Sequence, residues 1–299
     1  MSARDNLRGA LVALLSMGIY TTHDVIIKHL GAEYAALQIL FFTSLLSFPL
    51  LSVVLLSDPT PGPLRPKKPL WVAVRACSTM GAMICGFYAF SHLPLAQVYA
   101  LLFASPLLIT LLTVPFLGET VGPHRLGAVV VGLAGVLVVL RPGQSALEFA
   151  HLAAFGGACC TAMGAIALRK LGRGERRVVL LLWPILGNLV LAGVSLAFTY
   201  RPMELPHLAL AGVIAFLSLC AGFLMILAYQ LGEATVVAPM QYSQIIWASV
   251  YGWLFFSETM DGMTLIGSAL IIASGLYILM RERGAGARAT AVGARLGPG

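Results

Sequence analysis

From Gly9 to Arg281 the chain is apolar almost without pause, and short polar breaks divide it into ten runs of about twenty residues. A helix rises about 1.5 Å per residue, so a run of that length crosses a hydrocarbon core of roughly 30 Å. Backbone polar groups find no water there, which leaves helices as the structure such runs can adopt. The runs fall approximately at 9–30, 35–57, 69–91, 94–117, 122–141, 148–170, 177–199, 207–231, 234–257 and 260–281. Only 10% of the residues are charged, against about 25% in a soluble domain. The expectation is an all-α integral membrane protein with ten transmembrane helices. The first run reads as a span and not as a cleaved leader, because it is too long for a signal core and lacks a small-residue cleavage site.

The breaks carry turn chemistry. Pro59, Pro61, Pro63, Pro66 and Pro69 mark the second link, and Gly172 and Gly174 the sixth. They also carry the charge. With the N-terminus placed in the cytoplasm, 15 Lys and Arg residues lie inside and only Lys28, Arg141 and Arg201 outside, with Arg75 inside a span. That bias places both termini in the cytoplasm. The net charge of +7 is therefore an orientation signal and not a nucleic-acid patch.

An internal repeat restricts the fold further. FLGETVGPHRLGAVVVGLAGVLVVLR, from Phe116 to Arg141, aligns with FFSETMDGMTLIGSALIIASGLYILMR, from Phe255 to Arg281. Glu119-Thr120 falls on Glu258-Thr259, and with one inserted residue Gly127, Gly135 and Arg141 fall on Gly267, Gly275 and Arg281. Tyr88–Ala96 likewise parallels Tyr229–Val237. Each half then holds five spans. Five is odd, so the halves insert in opposite orientations, and inverted repeats place binding sites near the midplane between them. The expected units are 1–144, 145–283 and a Gly/Ala-rich disordered tail at 284–299. The small residues also have a packing role, since they let helices approach closely. Glu119 and Glu258 are expected at the starts of the fifth and tenth helices, where the helix dipole favours a carboxylate.

Candidate site residues are polar or aromatic groups at depth. The ninth run carries Pro239, Gln241, Tyr242, Ser243 and Gln244 in its first half. Such groups are costly in lipid unless they face protein or a water-filled cavity, and the proline frees a backbone carbonyl. In the first span His23 and Asp24 are candidate substrate-amine contacts or proton sites. Asp24 also stands one turn from Lys28 and can pair with it, with Lys28 reaching the interface. Arg75 is expected to reach back to headgroups. Tyr99 and Phe103 lie four apart on the fourth span above Pro106, the counterpart of the ninth, and with Tyr242 and Trp247 they would wall a cavity. Gln241, Tyr242 and Thr79 would bind the cargo's polar end, and Met83 and Met163 would give an adaptable lining. Trp71, Tyr200 and Trp253 sit near span ends, as interfacial anchors do.

No enzyme signature is present: the chain lacks HExxH, GxSxG and Walker A patterns. No cofactor is expected, and no metal ligand set. The five cysteines fall inside apolar runs without ligand spacing.

The ten-span plan, together with TTHDVIIKHLG (Thr21–Gly31), FYAFSHLPLAQVYAL (Phe87–Leu101), GETVGPHRLGAVVVGLAGVLVVLRPG (Gly118–Gly143) and VVAPMQYSQIIW (Val236–Trp247), resembles the EamA-type branch of the drug/metabolite transporter superfamily. Where many relatives carry FFRS in the second span, this chain has Phe41-Phe42-Thr43-Ser44, which bears on cargo charge. The resemblance, which extends to YddG-type aromatic amino-acid exporters, implies an inner-membrane secondary transporter. It would export small amphipathic metabolites, amino acids first, by alternating access. A membrane-embedded enzyme acting on a lipid-linked substrate, using His23, Asp24 and His92, is the alternative. A passive channel fits less well, since no filter-like loop or ring of charges is visible.

Overall fold

The computed structural model describes residues 3–56, 65–141, 148–171 and 177–295. Pro59, Pro61, Pro63, Gly172 and Gly174 lie outside the described residues. The helices are α1 (Ala3–Gly31), α2 (Ala36–Leu56), α3 (Pro69–His92), α4 (Leu95–Leu102), α5 (Ser105–Leu117), α6 (Pro123–Leu140), α7 (Phe149–Leu171), α8 (Arg177–Thr199), α9 (Leu205–Leu231), α10 (Ala234–Val237), α11 (Gln244–Phe256) and α12 (Gly262–Arg295), with a 3₁₀ turn at Ala238–Ser243. They form ten spans: α4 and α5 together make the fourth, and α10, the 3₁₀ turn and α11 the ninth. Pro69, Pro123 and Pro206 stand in first turns, where a missing N–H costs nothing.

The fourth and ninth spans break at equivalent places, and proline is the cause in both. Pro106 cannot donate to the carbonyl one turn back, and α4 stops at Leu102. Pro239 does the same in the ninth, and the chain tightens into the 3₁₀ turn there. Both spans also finish alike. Gly118 (φ 70°) and Ser257 (φ 54°) are left-handed, and the next residue's N–H folds back onto a carbonyl, Glu119 onto Thr113 at 3.3 Å and Glu258 onto Gly252 at 2.9 Å. Glu119 and Glu258 thus belong to the C-terminal caps of the fourth and ninth spans. The dipole expected to hold them at the fifth and tenth helices is out of reach, because α6 and α12 begin only at Pro123 and Gly262. Asp261 serves the start of α12 instead, accepting from the N–H of Met263 at 3.2 Å and the hydroxyl of Thr264 at 2.5 Å.

Packing repeats the symmetry. α1 lies along α9 and α3 along α7, a pair of contacts that exchange when the halves are exchanged. α6 packs on α12 and α2 on α8, each helix against its own counterpart, and the fourth span meets the ninth through α4 and α11. Small residues set the closest approaches. A Cβ at Gly9 on α1 would lie 2.7 Å from the Gly232 backbone, so glycine at both positions permits this crossing.

The final helix continues to Arg295, where the sequence reading expects a disordered tail from 284. Alanine and arginine are strong helix formers, and they outweigh the interspersed glycines through Arg295. Residues 296–299 lie outside the described part.

Candidate functional site

A buried polar chain joins the halves. Asp24 of α1 is 8% exposed. One carboxylate oxygen stands 2.8 Å from His23 Nδ1, and the other accepts the hydroxyl of Tyr99 from α4. Gln244, at the start of α11 in the second repeat, donates its amide to the Tyr99 oxygen at 3.4 Å. A buried carboxylate is stable only when its oxygens find partners, and here two elements of the first repeat supply them while the second repeat holds the tyrosine.

Aromatic rings surround this chain. Tyr99 lies 5.4 Å from Phe90 and 6.0 Å from Phe103. Phe103 meets Tyr242 of the 3₁₀ turn edge to face at 5.0 Å, and His23 lies 6.3 Å from Phe87. Below Tyr242 opens a hollow of about 190 Å³, bordered by Pro106, Thr110, Gln241 and Gly275. Gly275 makes the room: an ideal Cβ there would lie 2.1 Å from the Tyr242 hydroxyl.

The structure therefore brings together His23, Asp24, Tyr99, Phe103, Gln241 and Tyr242. Trp247 stands beside them along α1, its indole facing Gly18 and 6.2 Å from Tyr251, whose hydroxyl accepts from Thr22 at 3.2 Å. Thr79, Met83 and Met163 sit elsewhere. The Thr79 hydroxyl is taken by the Arg75 carbonyl at 2.9 Å. Met83 receives the Asn188 amide on its sulfur at 3.0 Å, and Met163 is half-buried on α7. Among the described hydrogen bonds and ring contacts, none joins these three to Asp24, Tyr99 or Tyr242.

Two sequence expectations about charge change. Asp24 and Lys28 do not pair. Lys28 binds Glu258 at 2.6 Å and the Leu93 carbonyl at 2.5 Å, because the carboxylate after α11 is brought against the end of α1. Arg75 does not reach for headgroups; its guanidinium points across to the Gly164 carbonyl of α7 at 3.4 Å, since α3 and α7 lie side by side. Gln244, named in the sequence among the polar groups of the ninth run but given no cargo contact there, belongs to the cluster through the Tyr99 hydroxyl. A second, larger crevice of about 900 Å³ lies between the end of α3 and the starts of α2 and α7, with Tyr88 and His92 stacked on its wall at 4.2 Å.

Ten helices in two inverted repeats, with a buried polar and aromatic junction between them, define a membrane transporter. Residues 7–141 and 148–280 each match the EamA-like transporter family, and the chain belongs to it. It is 27% identical over 280 residues to a pseudopaline exporter of Pseudomonas aeruginosa, covering 92% of this chain and 97% of that one. It is 26% identical to an S-adenosylmethionine uptake transporter of Rickettsia bellii, over 90% and 92% of the two chains. A riboflavin transporter of Rhizobium johnstonii is 29% identical over 73% of this chain and 71% of its own. One solved crystal structure superposes with a TM-score of 0.59 at 18% identity, over 98% of this chain and 100% of that one. Family membership removes the enzyme alternative and the channel: this is a multi-pass membrane transporter of small molecules.

Proposed function

We propose that the protein exports small amphipathic metabolites, amino acids first, across the bacterial inner membrane by rocking one five-helix repeat against the other, with both termini in the cytoplasm. One observation carries the cargo class. The Asp24 carboxylate is buried where the halves meet, against His23 and Tyr99, whose rings in turn meet Phe87, Phe90 and Phe103. A carboxylate in such a place suits an ammonium group, and the rings suit the apolar side chain of the same molecule. Cargo enters by displacing the Tyr99 hydroxyl or the His23 ring from Asp24. His23, Gln241 and Tyr242 then serve the cargo's polar end, and Trp247 closes the wall along α1. The hollow of about 190 Å³ is smaller than the roughly 300–1,000 Å³ of drug-sized sites. That hollow is bordered by Gln241 and Tyr242 and not by Asp24, so it has room for a small cargo's end, and the halves must separate further to admit cargo at Asp24.

The names of the relatives favour a second reading, a planar and larger cargo. Riboflavin and S-adenosylmethionine both carry flat ring systems that would stack among the same aromatic groups. Liposomes containing the purified protein, loaded in turn with labelled aromatic and aliphatic amino acids, riboflavin and S-adenosylmethionine, separate the readings. Amino-acid flux above that of empty liposomes supports the first. Flux of riboflavin or S-adenosylmethionine alone replaces it with the second. Repeating the panel with an imposed pH gradient reads whether protons drive the flux.

A further inference from the structure

Two ion pairs occupy equivalent places in the two repeats. Glu258 follows the cap of the ninth span and meets Lys28, near the end of α1. Glu119 follows the matching cap of the fourth span and meets Arg169, near the end of α7, at 3.1 Å. α1 and α7 are the first helices of their repeats, so exchanging the halves turns one pair into the other. Each pair also joins one repeat to the other, and inversion puts them at opposite ends of the molecule.

Their surroundings differ sharply. Lys28 and Glu258 side chains are 12% and 19% exposed. Lys28 also donates to the Leu93 carbonyl at 2.5 Å and lies 5.2 Å over the Phe256 ring. The second oxygen of Glu258 accepts the Leu95 N–H at 3.0 Å, where α4 begins. An ion pair withdrawn from water is stable only with such additional partners, and this one has them on α1, on the α3–α4 turn and on the ninth span at once. Arg169 and Glu119 are 50% and 41% exposed, so water screens their attraction. Within the first repeat α1 and α3 touch closely beside the pair, where a Cβ at Gly31 would lie 2.0 Å from the Ser91 hydroxyl; the crevice of about 900 Å³ that these two residues also border is lined by neither Lys28 nor Glu258. Two copies of one unit, inserted oppositely, cannot give both ends the same environment while only one end is shut.

We propose that these four residues are positioning residues for the transport cycle: the Lys28–Glu258 pair latches its end of the two repeats shut in this conformation, the Glu119–Arg169 pair is its counterpart at the other end, and the two exchange burial as access alternates. The inference goes beyond the cargo reading, and its test measures access and not flux, so either can fail alone.

The test uses the full-length protein in detergent with its five native cysteines replaced and one reporter introduced at a time. Ser249→Cys reports on the Glu258 end, where Ser249 shares a small pocket with Gln97 and Glu258. Thr110→Cys reports on the opposite half, where Thr110 borders the hollow below Tyr242. Glu258→Gln keeps an acceptor for the Leu95 N–H and removes the charge. It should raise the maleimide reaction rate at 249 by roughly tenfold, the factor expected when a charge-assisted hydrogen bond is lost, and lower the rate at 110. Lys28→Met should do the same and serves where Glu258→Gln does not fold. Glu119→Gln should shift both reporters in the opposite sense. Exchanging the charges, Lys28→Glu with Glu258→Lys, should restore the parent rates only in part, because a carboxylate at 28 cannot donate to the Leu93 carbonyl and an ammonium at 258 cannot accept the Leu95 N–H. Unchanged rates in both Glu258→Gln and Lys28→Met overturn the proposal. So does a joint rise at both reporters, which would mean loosening of the fold.

Discussion

Phe103 and Tyr242 meet edge to face with ring centroids 5.0 Å apart, and through them the broken fourth span touches the broken ninth. Both residues lie where helical hydrogen bonding is interrupted, Phe103 between α4 and α5 and Tyr242 inside the 3₁₀ turn. A wall built at two helix breaks can reshape without unwinding a whole helix, which suits a site that must hold cargo from either side. Tyr242→Ala removes half of this contact. Flux of the best amino-acid substrate in liposomes should fall roughly three- to tenfold, the range an aromatic pair supplies beyond buried area. Tyr242→Phe, which keeps the ring, should retain most of the flux. Equal flux in the alanine variant and the parent would take Tyr242 out of the site.

Asp24 distinguishes a cargo that carries an ammonium group, whether an amino acid or S-adenosylmethionine, from riboflavin. Asp24→Asn keeps the shape and the hydrogen bonds but removes the charge that an ammonium would meet. Amino-acid flux should drop about tenfold or more, since hydrogen bonds to charged groups contribute about 1.5–3 kcal/mol. Riboflavin carries no ammonium, and any flux of it should fall much less. Parallel losses for both cargoes would point to a structural role for Asp24 and not to recognition of an amine.

Tyr99→Phe tests the structural side of the same group. Tyr99 is 3% exposed, and its hydroxyl bridges Gln244 and Asp24. Removing it leaves a buried carboxylate short of a donor, at a cost of about 1–3 kcal/mol. Thermal unfolding of the purified protein should show the loss, and double substitution with Asp24→Asn should recover part of it, because a neutral amide needs the donor less. A Tm unchanged by Tyr99→Phe would contradict this account of the polar chain.

The ten spans, the repeat and the broken helices were legible because each has a local cause: apolar length, the paired Glu-Thr segments, and Pro106 and Pro239. Most of the candidate cluster was legible as well, since polar and aromatic groups are scarce at that depth. The ion-pair partners were not. Lys28 stands one turn from Asp24 along its own helix, and spacing alone pairs them; only the approach of α11 to α1 gives Lys28 a nearer carboxylate in Glu258. Thr79, Met83 and Met163 share the opposite lesson. Their chemistry suits a pocket, but the Thr79 hydroxyl is held by the Arg75 carbonyl and Met83 by the Asn188 amide of α8, and none of the described hydrogen bonds or ring contacts joins Met163 to the cluster.

The proposed orientation, with both chain ends on the cytoplasmic side, rests on the charge bias between links. Reporter fusions at the N- and C-termini, one fluorescent only in the cytoplasm and one active only outside it, should agree on that side. Opposite sides for the two ends would require an odd number of spans and would break the inverted repeat.

Gly275 and Tyr242 provide a test that needs no cargo. A Cβ at 275 would fall 2.1 Å from the Tyr242 hydroxyl oxygen and 3.2 Å from the ring carbon that bears it. Gly275→Ala should therefore destabilise the protein by about 1–3 kcal/mol, the usual cost of overpacking, even though alanine favours a helix more than glycine does. With Tyr242→Phe in place the oxygen is gone and the nearest contact is merely tight. The same glycine substitution should then cost little, and the two changes should be non-additive, as expected for groups in direct contact. Thermal unfolding of the parent, the two single variants and the double variant completes the cycle. Additive effects would mean that Tyr242 does not occupy the space beside Gly275, and the hollow of about 190 Å³ that both border would lose its wall.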